Sequence, residues 1–277
     1  MPDSTAEPPA ATEIAALRGE IDAIDDAMHD LLMRRAAVVG RLADSRAKGV
    51  GSPLRPGREA SVLRRLLARH DGPLGRERIV RVWREIFMAS TAIQGGFSVA
   101  TFAPEEEAAL AREHFGPITP MRVHPTPARA LAAVSEGEAS VAVLPLPAEG
   151  EEGETAWWAR LDAPRLQVVA RLPFLQAHDG AGALVVAPVP PDASGRDRTL
   201  VLIEAEAHAA RSRVLDALAA AGLDVSSLLL ARAGEETLAL AEVEGFLAAD
   251  DARLAALPWA RHTILGAYAA PVAGDAT

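Results

Sequence analysis

Apolar residues near the start of the chain recur at alternating spacings of three and four. They fall at Ile14, Leu17, Ile21, Ile24, Met28, Leu31, Val38 and Leu42. This spacing predicts one long helix that packs against other helices. Arg35 occupies the one seat that the pattern leaves without an apolar residue, and a guanidinium there costs desolvation unless an anion meets it. The pattern therefore predicts a binding site for a small anion on the packed face of the helix.

Glycine and proline breaks divide the N-terminal third of the chain into three predicted helices. We expect helix 1 over residues 13–48, helix 2 over 57–70 and helix 3 over 75–94, with residues 1–12 as a loose tail. Helix 1 would be about 52 Å long at ~1.5 Å per residue. That length exceeds what the two shorter helices can cover, so the packing predicts a dimer.

After residue 96 the pattern changes to short apolar runs alternating with helical segments. Residues 97–198 are predicted to form a small α/β unit, with strands at 98–102, 140–144, 167–170 and 183–187 and helices at 105–114 and 127–135. Its last part, 188–198, is predicted to be a linker because it is rich in proline, aspartate and glycine. Residues 199–277 are predicted to follow a ferredoxin-like βαββαβ order, with strands at 200–205, 225–231, 237–243 and 263–267 and helices at 209–221 and 250–257. The predicted fold class is therefore multidomain α plus α/β.

Composition narrows the possible functions. The net charge of -10 argues against a general nucleic-acid binder. No apolar run is long enough to span a bilayer, and the N-terminus lacks the basic and apolar regions of a secretory signal, so we expect a cytoplasmic protein without a membrane partner. The chain has no cysteine, which excludes thiolate chemistry, disulfides and cysteine-bound zinc. No nucleotide-binding loop or zinc spacing is present, so no cofactor or metal is predicted.

Helix 1 carries three arginines whose spacing can be converted into positions. Arg35 and Arg46 lie 11 residues apart, which places them about 20° apart around the helix and about 16 Å apart along it. They can hold the two ends of one small dianion. Arg18 lies about 25 Å before Arg35, so a site that includes both needs Arg18 from a second copy of the chain. Taken singly, such arginines are more often solvated, and we expect solvent exposure for Arg41, Arg64, Arg65, Arg69 and Arg81.

Helices 2 and 3 add further polar candidates. Arg58 and Glu59 open helix 2, while Ser90 and Gln94 are one turn apart near the end of helix 3. The combined set contains guanidinium, amide and hydroxyl groups but no histidine and no nucleophile–base pair. Such a site can bind and polarise a ligand, with little means for proton transfer or covalent catalysis.

These residues resemble a known family. Matching runs extend over Leu17 to Asp25, Leu31 to Arg35, Pro56 to Glu59 and Ser90 to Gln94. Together they resemble the all-helical AroQ-type chorismate mutases, with the family's spacings over residues 13–94. The resemblance implies an intertwined homodimer of three-helix domains over 13–96. It also implies a cofactor-free isomerase that rearranges chorismate to prephenate in phenylalanine and tyrosine biosynthesis.

The resemblance assigns roles to the candidate residues. Arg35 and the partner's Arg18 would bind the substrate carboxylates, and Arg58 would support the carboxylate side. Arg46 stands where the family has a lysine that contacts the ether oxygen. Arginine and lysine are not equivalent at such a position. Lys48 is an alternative, although it points about 200° away from Arg46 around the helix.

The neutral and acidic candidates receive roles from the same resemblance. Glu59 would accept a hydrogen bond from the ring hydroxyl, and Gln94 would donate to the ether oxygen as negative charge grows there. Ser90 would line the pocket. The catalytic residues implied are thus Arg35, Arg46 and Gln94.

The remainder of the chain resembles, more faintly, the other parts of bifunctional chorismate mutase–prephenate dehydratases. The run from Glu136 to Pro147 resembles a dehydratase strand, but the Glu-Asn that follows in that family is missing here. The Thr-Arg-Phe motif of dehydration is absent, so residues 97–198 are predicted to be a degenerate dehydratase-like region without dehydratase activity. Residues 199–277 resemble the ACT fold and lack its Gly-Ala-Leu and Glu-Ser-Arg-Pro motifs, which bind phenylalanine.

Two other interpretations of the sequence stay open. The chain could be a non-catalytic regulatory protein that binds chorismate, prephenate or an aromatic amino acid, an interpretation that Arg46 favours. It could also be an oligomerising helical adaptor, which would bind no chorismate.

Overall fold

A computed structural model describes residues 9–46, 53–102, 105–151, 156–176, 182–233 and 236–274. The order of elements confirms the predicted class, α plus α/β. The chain divides into two units. One contains the N-terminal helix and the segment Ile93–Gly95, and the other contains residues 54–92 together with the described residues from 96 onward.

The three predicted N-terminal helices are present. They are α1 (Pro9–Arg46), α2 (Pro56–Ala68) and α3 (Arg76–Gln94). α1 begins within the predicted tail, because Ala10 and Ala11 extend the helix with the residue of highest propensity. Its predicted end at Lys48 lies outside the described residues.

Among the described residues of the second unit, nine strands form one mixed sheet. They are β1 (Val99–Phe102), β2 (Met121–His124), β3 (Val141–Pro145), β4 (Gln167–Leu172), β6 (Ala183–Ala187), β7 (Asp197–Ala205), β8 (Val225–Ala233), β9 (Glu236–Glu244) and β10 (His262–Ala269). Their spatial order is β2-β1-β3-β6-β4-β10-β7-β9-β8. A separate parallel pair joins β5 (Leu175–Gln176) to β11 (Val272–Ala273).

Helices cover both faces of the large sheet. α5 (Pro127–Ser135) packs on one face with Trp157 and Trp158, which belong to a 3₁₀ turn at Trp157–Arg160. α4 (Glu105–Phe115) and α6 (Arg211–Ala220) pack against the alternate side chains of the strands. Strands buried on both faces appear as continuous apolar runs, such as Ala183–Ala187.

The C-terminal strands take the ferredoxin-like order β10-β7-β9-β8. The helix predicted at 250–257 is wrong, because that segment forms only a 3₁₀ turn at Leu254–Ala256. The Asp251 carboxylate accepts hydrogen bonds from the backbone and side chain of Arg253, which stabilises a turn instead of a helix. Leu254 and Leu257 are nevertheless buried in the core beneath the sheet.

The regions 97–198 and 199–277 share this one sheet, although their boundary stays a prediction. β4 runs parallel to β10 and meets it at Val168 and Gly266. Gly266 has a φ of 142°, and a Cβ there would lie 2.1 Å from the carbonyl oxygen of Val168. A residue without a side chain is therefore required where the two regions join.

Candidate functional site

The apolar stripe of α1 is exposed in the single chain. Its eight members are each 46–64% exposed: Ile14, Leu17, Ile21, Ile24, Met28, Leu31, Val38 and Leu42. A contiguous apolar surface of this length is rare on a monomer and is typical of an interaction surface. Arg35, within the stripe, is half-buried.

α1 is continuous through Arg18, Arg35 and Arg46. The separations expected from a helix therefore hold along it, about 25 Å from Arg18 to Arg35 and about 16 Å from Arg35 to Arg46. The side chain of Arg46 lies outside the described atoms. The arginine roles thus stay predictions, while the helix that would carry them is present.

Glu59 of α2 forms a buried ion pair that the sequence did not reveal. Its Oε2 accepts a hydrogen bond of 2.8 Å from Nη1 of Arg84 on α3, and the two side chains are 13% and 8% exposed. Burial lowers the pKa of Arg84, and the charge of Glu59 opposes that shift. The pair fixes the orientation of the carboxylate to which the resemblance gives a role in substrate binding.

An aromatic ring anchors this ion pair to the rest of the unit. Phe174, between β4 and β5, lies with its ring centroid 5.8 Å from the guanidinium carbon of Arg84 and 5.6 Å from that of Arg64. Phe174 also packs with Ala60, Leu63 and Phe87 in one apolar cluster. α2 and α3 are therefore held against the α/β body by contacts that mix apolar burial with cation–π attraction.

Asp192 caps the N-terminus of α2 from a distant part of the chain. Its carboxylate accepts hydrogen bonds from the backbone amides of Gly57 (2.9 Å) and Arg58 (3.0 Å), and from Nε of Arg55 (3.1 Å). A carboxylate at this position pairs with amides that lack helical partners and with the positive end of the helix dipole. The cap fixes the backbone that carries Arg58 and Glu59.

Arg64 is wrongly predicted to face solvent. Its guanidinium donates to the hydroxyl of Ser194 and to the carbonyl oxygens of Arg196 and Ala270, each at 2.7 Å. The predicted linker 188–198 is thus a structural support for α2. It contributes both Asp192 and the acceptors of Arg64.

The remaining candidates lie on α2 and α3. The side chain of Arg58 is exposed, Gln94 is half-buried at the end of α3, and Ser90 is buried. The hydroxyl of Ser90 donates to the carbonyl oxygen of Ile86 at 2.6 Å. The roles of these residues stay predictions.

Arg84 and Asp192, which support the candidate residues of α2, were not predicted from the sequence, for different reasons. Arg84 shares one face of its helix with Val80, Phe87 and Thr91. It is therefore an arginine at a position where the helical spacing predicts an apolar residue, and Arg35 was identified by the same signal. Asp192 has no comparable signal, because it lies 135 positions from the amide of Gly57 that it caps.

Within the described part of the chain, no cluster of three or more histidine, aspartate or glutamate side chains could hold a metal ion. Among the same residues, no helix is both long and apolar enough to cross a membrane.

Comparison with protein families identifies the N-terminal segment. Residues 17–95 match the family described as chorismate mutase type II. The resemblance of the N-terminal segment to chorismate mutases is therefore confirmed, and the matched residues include all seven candidates.

Curated relatives of this chain are named bifunctional chorismate mutase/prephenate dehydratases. The chain is 35% identical over 115 residues to a bifunctional chorismate mutase/prephenate dehydratase of Stutzerimonas stutzeri, covering 38% of this chain and 31% of that protein. It is 33% identical over 111 residues to the protein of the same name from Pseudomonas aeruginosa, covering 38% of this chain and 30% of that protein. The match thus spans about a third of the length of these relatives.

Similar solved structures cover the larger part of the chain with low identity. One is titled GqqA, a novel type of quorum quenching acylases (22% identity, TM-score 0.49, covering 62% of this chain and 94% of that one). Another is prephenate dehydratase from Arthrobacter aurescens in complex with L-Phe (16% identity, TM-score 0.48, covering 64% and 93%).

Proposed function

We propose that the N-terminal domain converts chorismate to prephenate, as a chorismate mutase in phenylalanine and tyrosine biosynthesis. The observation that carries this proposal is the match of residues 17–95 to the chorismate mutase type II family. The reaction is a rearrangement within one molecule, so it needs no cofactor, nucleophile or proton shuttle. A site built mainly from guanidinium groups is suited to it, because the catalytic requirement is to bind a dianion and to stabilise charge that develops in the transition state.

In the proposed site, Arg35 and the partner's Arg18 bind the substrate carboxylates, with Arg58 in support. Arg46 and Gln94 donate to the ether oxygen, where negative charge grows as the carbon–oxygen bond breaks. Donors fixed before the reaction stabilise that charge without reorganising, which lowers the barrier. Ser90 lines the pocket.

Arg84 and Asp192 act as positioning residues in this scheme. Arg84 orients the Glu59 carboxylate, and a carboxylate has acceptor positions for more than one donor, including a ring hydroxyl. Asp192 fixes the first turn of α2, which carries both Arg58 and Glu59.

The proposed assembly is a homodimer through α1. It is supported by the exposed stripe along this 38-residue helix and by the axial distance between Arg18 and Arg35. A second copy of α1 laid along the stripe would bury the apolar surface and supply Arg18 to the site of its partner.

The rest of the chain is proposed to be catalytically silent in dehydration. The sequence lacks the Thr-Arg-Phe motif of the dehydratases that it faintly resembles. In this proposal the α/β body supports α2 and α3 through Phe174, through Asp192 and through the backbone acceptors of Arg64. A cytoplasmic location stays a prediction of the sequence.

A second candidate is a regulatory protein that binds chorismate, prephenate or an aromatic amino acid without turnover. The observation that favours it is Arg46, since an arginine spreads its charge over a larger group than the lysine of the resembled family. An absorbance assay of chorismate loss separates the two candidates. Saturable binding without loss of chorismate would support the regulatory protein and contradict the enzyme.

The variant Arg35→Ala tests the proposed site. We expect a fall in kcat/KM of at least about a hundredfold, because a charged contact to the substrate is lost in a desolvated pocket. Arg34→Ala is the matched control, since it removes an exposed arginine one position away on the same helix, and its activity should stay near that of the parent. The helical circular dichroism signal should be unchanged in both. Wild-type activity in Arg35→Ala would overturn the site assignment.

A further inference from the structure

A cavity of about 240 Å³ lies where the two halves of the large sheet meet. The first half consists of β1, β2, β3, β4 and β6, and the second consists of β7 to β10. Strands β4 and β6 from the first half and β7 to β10 from the second contribute to its wall, together with Leu146 and Pro147 after β3. None of the proposed chorismate-site residues lines it. Its lining contains both polar and apolar side chains.

Glu242 lies at the centre of the polar groups that line the cavity. Its carboxylate accepts hydrogen bonds from Nη1 of Arg198 (2.6 Å) and from the hydroxyl of Ser226 (2.9 Å). Burial and the negative charge of Glu242 raise the pKa of Tyr268, so its hydroxyl is a neutral donor. The charge of Glu242 is therefore well compensated within the wall.

Arg171 is the guanidinium of the lining with the weaker contacts. Its Nη1 lies 3.7 Å from Glu242 and 3.4 Å from the Tyr268 hydroxyl, and both contacts are long for a guanidinium with five donor positions. Arg198, in contrast, pairs with Glu244 as well as with Glu242. Glu242 and Glu244 together balance the charges of Arg171 and Arg198. The preference for an anionic oxygen therefore comes from the donor positions of Arg171, which its long contacts leave poorly used.

The cavity also has a large apolar lining, which suits a ligand with an apolar group. Six residues form it: Leu146, Pro147, Leu184, Leu200, Leu229 and Leu240. An inorganic ion would leave this wall uncovered, whereas an organic acid can place its carboxylate on the guanidinium and its apolar body on the leucines.

We propose that this cavity binds a small organic monocarboxylate, with the carboxylate on Arg171 and an apolar body about the size of one ring against the leucine wall. The site is separate from the arginine site proposed for chorismate. It combines an apolar pocket with few convergent polar groups, the usual construction of a small-molecule site.

Titration calorimetry on the full chain with phenylacetate tests the proposal. Phenylacetate should bind saturably, one molecule to each chain. Phenylacetamide and phenethylamine, which replace the carboxylate by a neutral and a cationic group, should bind at least about tenfold more weakly. Equal affinity for the acid and the amide, or the absence of saturable binding of the acid, would overturn the proposal.

Two variants locate the binding. Arg171→Gln should weaken phenylacetate binding by at least about tenfold, because it removes the charged partner. The control Arg165→Gln removes an exposed arginine that pairs with Asp162 outside the cavity, and it should bind like the parent. Unchanged affinity in Arg171→Gln would overturn the assignment.

A blocking variant decides the matter if Arg171→Gln does not fold. Ser227 lines the cavity, is exposed, and precedes Leu229 by two residues on β8, so a tryptophan there can fill the space without displacing a buried side chain. Ser227→Trp should abolish binding while the circular dichroism spectrum is kept. Retained binding in this variant would contradict the proposed location.

Discussion

Two arginines of the N-terminal helices occupy positions where the apolar pattern calls for a leucine or a valine. Arg84 on α3 is buried and is paired with Glu59. Arg35 on α1 is half-buried within an exposed apolar stripe. The buried guanidinium of Arg84 is compensated by an internal carboxylate. In our proposal, Arg35 binds a carboxylate of the substrate.

Replacing Arg84 tests the internal pair. Arg84→Met should lower the free energy of unfolding by about 3 kcal/mol or more, because the Glu59 carboxylate stays buried without this guanidinium. The double variant with Glu59→Gln should recover part of the loss. Urea unfolding monitored by circular dichroism measures both.

Arg78→Met is the control for that experiment. It removes an exposed arginine from the same helix and should change the free energy of unfolding by no more than about 0.5 kcal/mol. If Arg84→Met were as stable as this control, the ion pair would have no structural role.

The environment of a residue can be predicted from the sequence when it depends on neighbours along the same helix. The seat of Arg35 is visible in the spacing of its neighbours along one helix, and the seat of Arg84 could have been found in the same way. The environment of Arg64 could not, because its acceptors on Ser194, Arg196 and Ala270 come from segments more than a hundred residues away. Sequence periodicity reports which face of a helix is buried, but not which distant backbone it meets.

At the scale of elements, the placement of α2 depends on close contact with residues 188–198. A Cβ on Gly57 would lie 2.0 Å from the backbone oxygen of Asp192, the residue whose carboxylate caps the helix. Backbone atoms cannot move aside as a flexible side chain can. The first turn of α2 therefore keeps its position only with glycine at this site.

Gly57→Ala should lower the free energy of unfolding by about 1–3 kcal/mol, because the added methyl group forces the cap and the helix apart. It should also lower kcat/KM, since Arg58 and Glu59 follow directly. Chemical denaturation and the chorismate assay measure the two effects.

The matched control is Gly96→Ala. An added Cβ there meets nothing within 4 Å, so its stability should be unchanged or raised by less than about 1 kcal/mol. Equal stability of the two variants would contradict the proposed constraint on α2.

Elements with a long or regular pattern were predicted from the sequence. The three N-terminal helices were found, α5 agrees with its predicted bounds, and so does β6 at Ala183–Ala187. Short elements fixed by tertiary pairing were missed, including β2 and the β5–β11 pair. Burial along β2 does not alternate from one residue to the next. The strand is defined by its pairing with β1, which the local sequence does not encode.

At the scale of the whole molecule, the proposed site depends on a second copy of the chain. The exposed stripe of α1 requires a partner surface, and the distance from Arg18 to Arg35 requires that the two arginines of one site come from different chains. The sequence predicted both features, since they follow from the length and periodicity of one helix. The single sheet that links 97–198 to 199–277 was not predicted, because the parallel contact of β4 with β10 joins segments about a hundred residues apart.

Heterodimers purified with two affinity tags test the shared site most directly. One heterodimer pairs an Arg18→Ala chain with an Arg35→Ala chain, and the other pairs a wild-type chain with a chain that carries both substitutions. If each site takes Arg18 from the partner, the first heterodimer keeps one intact site and should show roughly half of wild-type chorismate turnover, while the second should show almost none. The opposite result, an inactive first heterodimer and a half-active second one, would mean that both arginines act within one chain and would contradict the account.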